Sequence, residues 1–328
     1  MPSFARTRIA PIFGAAAILL AASAAQAQTY PAGPVRVLVP FAAGGSTDIM
    51  ARVFSERLQA NLGQSFTVEN RGGAAGQIAA AAFARAPADG YTLMFTTAAP
   101  ITVAPQMVEK PQYDPRKDFV PVAMVAVMPV WLVVNAASPF KTLADMLKHG
   151  KDSPGKLNYG SPGVGSEPHL AAEAVARSAA IQMVHVPFRG GGEVVPAVLG
   201  GQIDFASLAT ASIAASLKQG TLRALAVSSP QRAPDFPDVP TFAELGHAGA
   251  SMLPWWGLMA VAGTPQPIVE RLTRELEAIS KDPVVRERLK ATFVQVEFAD
   301  PAGFTRVLDA ETKLYGDIIR AANIKLGR

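Results

Sequence analysis

Strand and helix patterns alternate along this chain in two series, separated by one long apolar segment. That alternation limits the possible folds more than any other feature. Residues 35–41 are apolar and β-branched, and 46–62 carry helical spacing. Residues 66–69, 75–85 and 91–97 then read as strand, helix and strand. A βαβαβ order calls for a mostly parallel sheet with helices on both faces and right-handed crossovers. Residues 119–135 stay apolar for longer than one ordinary strand. A break at Met128-Pro129 divides them into strands at 120–127 and 130–134. The second series has strands at 157–160, 183–188, 204–208 and 222–228, with helices at 166–177, 193–199 and 211–217. The proline-rich stretch "SSPQRAPDFPDVPTFAEL" reads as a surface loop.

A strand at 255–262 is followed by a helix with Thr264 as N-cap and Pro265 in first position. The apolar stripe of that helix is Ile268, Leu272, Leu276 and Ile279. A strand at 294–298 and a helix at 301–321 end the chain. The expectation is α/β, with two units and two chain crossings: residues 28–134 plus 253–328 in one lobe and 135–252 in the other. Two crossings make a hinge, and a ligand belongs in the cleft between the lobes.

The N-terminus stands apart from this pattern. Arg6 and Arg8 precede a short apolar run, Ile12 to Ala22, and Ala25-Gln26-Ala27 is a small-x-small cleavage signal. The run is short for a membrane span. Residues 1–27 read as a cleavable Sec-type signal peptide, which predicts a periplasmic protein. The chain contains no cysteine, so disulfides, thiolate metal sites and a cysteine nucleophile are excluded. The formal net charge is +4 with no dense basic run, which argues against a nucleic-acid partner. The four histidines have no metal-ligand spacing, and no phosphate-binding or complete dinucleotide-binding glycine motif is present. No metal, cofactor or catalytic residue is expected.

What recurs is a strand, a Gly/Ser/Thr turn and a helix start, at Phe41–Asp48 and again at Ser161–Ser166. Helix N-termini leave N–H groups unpaired, carry partial positive charge and favour anions. Glycine admits close approach, and hydroxyls add donors. The same corners are equally compatible with plain βα turns that carry good N-caps.

Several stretches occur together in one order: "PFAAGGSTDIMAR", "VENRGGAAGQIA", "YDPRKDFVPV", "GKLNYGSPGVGSEPHLAAE", "HVPFRGG", "VLGGQIDF", "PDVPTFAELG" and "WWGLMAVAGTP". In this combination the chain resembles the Bug-type solute-binding receptors of tripartite tricarboxylate transporters over essentially its whole length after residue 27. The resemblance implies a type II, Venus-flytrap architecture of the periplasmic-binding-protein kind, each lobe a mostly parallel sheet flanked by helices. It implies a monomer that captures a small carboxylate and passes it to membrane components of such a transporter. It carries ligand contacts onto Phe41, Ala43, Gly44, Gly45, Ser46, Thr47 and Asp48 in the first corner. In the second corner the matching positions are Ser161, Gly163, Val164, Gly165, Ser166 and His169. Thr96, Thr97, Ala98, Pro100, Phe188 and Arg189 should also face the cleft. Leu208 and Ala209 stand where the family usually has polar side chains, so one wall is expected to be less polar and the ligand to present an apolar or aromatic body there.

Two other readings stay open at this point. One is a secreted serine hydrolase, with Ser161 or Ser166 as nucleophile and His169 or His185 as base, although the G-x-S-x-G elbow is missing. The other is a receptor that presents its ligand to a signalling sensor.

Overall fold

The computed structural model describes residues 30–108 and 110–322, so the segment read as a signal peptide lies outside the described residues. Eleven strands are described: β1 (Val35–Val39), β2 (Phe66–Asn70), β3 (Thr92–Thr96), β4 (Phe119–Val127), β5 (Val130–Asn135), β6 (Asn158–Ser161), β7 (Val184–Pro187), β8 (Phe205–Ala209), β9 (Leu222–Val227), β10 (Trp255–Val261) and β11 (Gln295–Ala299). The α-helices are α1 (Ser46–Leu62), α2 (Gln77–Phe83), α3 (Pro115–Asp118), α4 (Leu143–Asp152), α5 (Glu167–Ser178), α6 (Gly191–Leu199), α7 (Thr210–Lys218), α8 (Gln266–Lys281), α9 (Pro283–Lys290) and α10 (Pro301–Ala322).

The strands form two sheets, ordered β11-β4-β10-β3-β1-β2 and β7-β6-β8-β5-β9. Both are mixed, where mostly parallel sheets were expected. β1 runs parallel to β2 and β3, but β10 is antiparallel to β3 and β4, and β4 to β11. In the second sheet β6 is parallel to β7 and β8, whereas β5 is antiparallel to β8 and β9. The reason is topological. β1, β3, β6 and β8 end at the cleft. A chain that crosses from the other lobe enters at the cleft and must run away from it. β5 and β10, the first strands after the two crossings, therefore run against both neighbours. β5 pairs in the second sheet, so Val130–Val134 goes with the second lobe and the first crossing falls at Met128-Pro129.

β5 also shows how the second core is built. Val130, Leu132 and Val134 pack with Tyr159, Phe205 and Phe242 on one face. Trp131 and Val133 pack with Val194, Val198 and Ile213 on the other. Side chains alternate across a strand, so one strand feeds both layers. Phe242 lies inside the proline-rich stretch read as surface loop. It is fully buried, and Thr241 beside it bridges to Val227.

Helix α8 starts at Gln266 and not at Pro265. Thr264 does not cap it: its hydroxyl donates to Val261 O at 2.7 Å and closes the preceding turn. The buried stripe takes Val269 with Leu272, Leu276 and Ile279, leaving Ile268 part-exposed. Helix α4 was not anticipated. It opens with a capping box in which Thr142 and Asp145 bond each other's backbone N–H groups.

A buried serine ties the two crossings together. Ser228 Oγ accepts from Val130 N at 2.8 Å and donates to Met252 O at 2.6 Å. Met128 N donates to Pro254 O at 3.0 Å, strand to strand across the hinge.

Candidate ligand-binding cleft

Each lobe turns helix ends toward the other. Helix α1, of 17 residues, begins after Gly45, which offers no side-chain cap. Gly44 has φ 79°, a left-handed backbone that glycine adopts at no steric cost. Opposite, α6 begins after Gly190 and α7 after Ala209, again with no side-chain cap. Helix α5 begins after Ser166, whose Oγ accepts from His169 N. These four starts wall one cavity: Gly45, Ser46 and Thr47 from α1, Ser166, Glu167 and Pro168 from α5, Gly191 from α6, Ala209 and Ser212 from α7. Phe41, Thr97, Pro162, Pro254 and Trp256 complete the wall.

The cavity offers about 30 Å³ to the centre of a water-sized sphere, room for a water or two. The lobes are drawn together around it. Ser46 N donates to Ser212 Oγ at 2.8 Å and Ser212 N to Ser46 Oγ at 3.0 Å. Ala42 N donates to Arg189 O at 3.0 Å. A Cβ on Gly192 would sit 2.0 Å from Ala43 O, and one on Gly45 3.2 Å from Gly191 N, so backbone meets backbone here.

Of the residues carried over from the sequence, Phe41, Gly45, Ser46, Thr47, Thr97, Ser166 and Ala209 lie on the cavity wall. The others stand behind it. Ala43 and Gly44 form the turn that meets Gly192. Asp48 Oδ2 accepts from Gly44 N at 2.9 Å, and the Arg52 guanidinium lies 2.9 Å from Oδ1 without hydrogen-bond alignment. Asp48 thus braces the corner. His169 Nδ1 accepts from Gly165 N at 3.1 Å, which places the ring proton on Nε2. Desolvation, with a smaller contribution from His185, pushes its pKa down to about 3. Thr96 is a buried strand residue, and Pro100 O accepts from Tyr113 at 2.6 Å. Gly163 packs toward Ala75, Gly165 toward Met107, and Val164 against the first core. Phe188 packs on the second core, and Arg189 is exposed and contributes its carbonyl. Leu208 does not form the apolar wall expected of it. It is fully buried in the second core, because β8 turns Ala209, and not Leu208, to the cleft.

The sequence reading missed Pro162, Glu167, Pro168, Gly191, Ser212, Pro254 and Trp256. Trp256 Nε1 donates to Thr47 Oγ1 at 3.0 Å, and Trp256 lines the cavity. Glu167 opens α5, where an acid reads as a plain complement to the helix dipole. Instead its Oε1 accepts from Ala98 N at 3.0 Å, and Thr97 Oγ1 lies 3.4 Å from Oε2. Burial raises its pKa to about 7 against these hydrogen bonds. Behind it, burial raises part-buried Glu311 to about 8, with Glu167 adding to the shift, although Trp255 Nε1 donates to Glu311 at 2.6 Å.

The serine–histidine pair needed for the hydrolase reading does meet: Ser161 Oγ lies 2.7 Å from His185 Nε2. Ser161 is fully buried, off the cavity wall, and tied to the Gly163 backbone. The His185 ring packs 4.2 Å from His169 and 4.9 Å from Tyr159. This is a packed polar network within the second lobe, with no approach for a substrate carbonyl.

Two hinged α/β lobes around a cleft walled by helix N-termini define the periplasmic solute-binding class. Residues 50–324 match the family described as "Tripartite tricarboxylate transporter family receptor", and the chain belongs to it. Among solved structures it is similar to the periplasmic binding protein BugD, at 30% identity and TM-score 0.86, covering 90% of this chain and 99% of that one. It is similar to Rpa4515 of R. palustris with adipate, at 31% identity and TM-score 0.86, covering 90% and 99%. It is also similar to MatC of Rhodopseudomonas palustris with bound malate, at 32% identity and TM-score 0.84, covering 88% and 100%.

Proposed function

We propose that this chain is an exported, non-catalytic receptor that captures a carboxylate-bearing small organic acid between its lobes and delivers it to the membrane components of a tripartite tricarboxylate-type transporter. One observation carries the reading. Four helices of 17, 12, 9 and 9 residues bring their N-termini to one cavity. Each end bears roughly half a positive charge, so their convergence is unfavourable unless an anion sits among them. Among the described residues no lysine or arginine lines the cavity, so the positive field there comes from peptide groups and hydroxyls. The structural neighbours with adipate and malate, both carboxylates, support the ligand class. Closure excludes water and strengthens each amide–carboxylate bond, and the ligand's preference for the closed state drives the motion.

Thermal unfolding against mono-, di- and tricarboxylates and amino acids tests this. An acid present at about 100 times its Kd adds roughly 2.7 kcal/mol of stability, a rise of several degrees. If protein refolded from denaturant shows no rise with any acid, the reading falls.

A further inference from the structure

Among the described residues, Glu167 is the one acidic side chain on the cavity wall, and it comes from the second lobe to bond the first. Its carboxyl occupies the donors at the end of β3, Ala98 N–H and the Thr97 hydroxyl. Those donors demonstrably suit a carboxylate, because they hold one. Thr97 itself lines the cavity, so the same donors would face a ligand if the glutamate side chain were short. Glu167 is 2% exposed, and a second ligand carboxylate reaching this end would have to displace it or lie against it, anion to acid, out of water.

We propose that Glu167 is a specificity-determining residue that fills the place of a second carboxylate, so that the cleft selects organic acids bearing a single one. The remaining wall suits such a ligand: Phe41, Pro162, Pro168, Pro254 and Trp256 are apolar and face the hydroxyl-bearing ends of α1 and α7. The inference rests on the receptor reading above and deepens it. Burial raises Glu167 to about 7, so close to neutrality the residue is a mixture of acid and carboxylate. Both forms accept from Ala98 N–H and occupy the space.

The test is calorimetric titration of matched acids, butyrate against succinate and benzoate against terephthalate, into wild type, Glu167→Ala and Glu167→Gln. Wild type should bind at least one monoacid at least tenfold more tightly than its diacid partner. Glu167→Ala should close or reverse that ratio by tenfold or more. Glu167→Gln keeps a carbonyl for Ala98 N–H and should keep the wild-type order. Wild type binding the diacids as tightly as the monoacids overturns the proposal while leaving the receptor reading intact, and this arm needs no variant to fold. An unchanged ratio in a folded Glu167→Ala also overturns it. If no acid of any kind binds any of the three proteins, the receptor reading itself fails and takes this one with it.

Discussion

Four ionisable side chains, two buried and two part-buried, set opposing demands on pH. Glu167 and Glu311 have folded pKa values raised by burial to about 7 and about 8. Their stabilising contribution is complete below the ordinary carboxylate pKa and is lost as pH rises through those folded values. His169 and His185 are depressed by burial to about 3 and about 4. Their contribution is complete above the ordinary imidazole pKa and is lost as pH falls through those values. Between about pH 4.5 and 6.5 the two slopes oppose and nearly cancel. Stability should therefore show a plateau there and fall by on the order of a few kcal/mol on each side. Glu311→Gln keeps an acceptor for Trp255 Nε1 and removes the acid that titrates at about 8 and whose field raises Tyr315. Melting temperature measured from pH 4 to 9 should show a flatter alkaline limb in this variant. An alkaline limb as steep as wild type would mean the pair does not titrate as described.

The elements differ in how far the sequence announces them. Helix α1 runs over the residues that its turn chemistry and spacing predict, because Gly44, Gly45 and Asp48 act locally. The break at Met128-Pro129 was readable because proline interrupts the ladder. Helix α4 was missed although Thr142 and Asp145 stand at capping-box spacing, because its buried residues Leu143, Met146 and Gly150 form only a short stripe. At the cleft, the corners could be read but Glu167 could not. Its partner Ala98 is 69 residues away, and no local pattern encodes such a contact. Leu208 and Ala209 were named together, and strand alternation then sends only one of them to the cleft. The start of α6 carries a sharp prediction. Gly192→Ala should fold normally, since alanine favours the helix by about 1 kcal/mol. Its Cβ would meet Ala43 O, a backbone atom of the other lobe, so the cleft cannot shut. Small-angle scattering should give a larger radius of gyration than wild type, and carboxylate affinity should fall at least tenfold. Wild-type dimensions and affinity would show that the approach of the lobes is not limiting.

At the scale of the whole molecule, the lobes are joined by two strands with a single serine between them. Ser228 satisfies Val130 N–H and Met252 C=O, one on each crossing. Ser228→Ala removes the partner of both, and the buried Val130 N–H left unpaired costs about 1–3 kcal/mol. Calorimetry should record a melting temperature several degrees lower, and an unchanged value would mean that the crossings are held some other way. A second property belongs to the fold and to no residue. The positive ends that wall the cleft are peptide groups, and substitution of side chains leaves peptide groups where they are. A lineage built on this scaffold can exchange Pro162, Pro254 or Trp256 and so change which molecular body its cleft welcomes. On the proposed receptor reading, the part of the site that holds the anion is inherited whole while the rest of the wall is free to change.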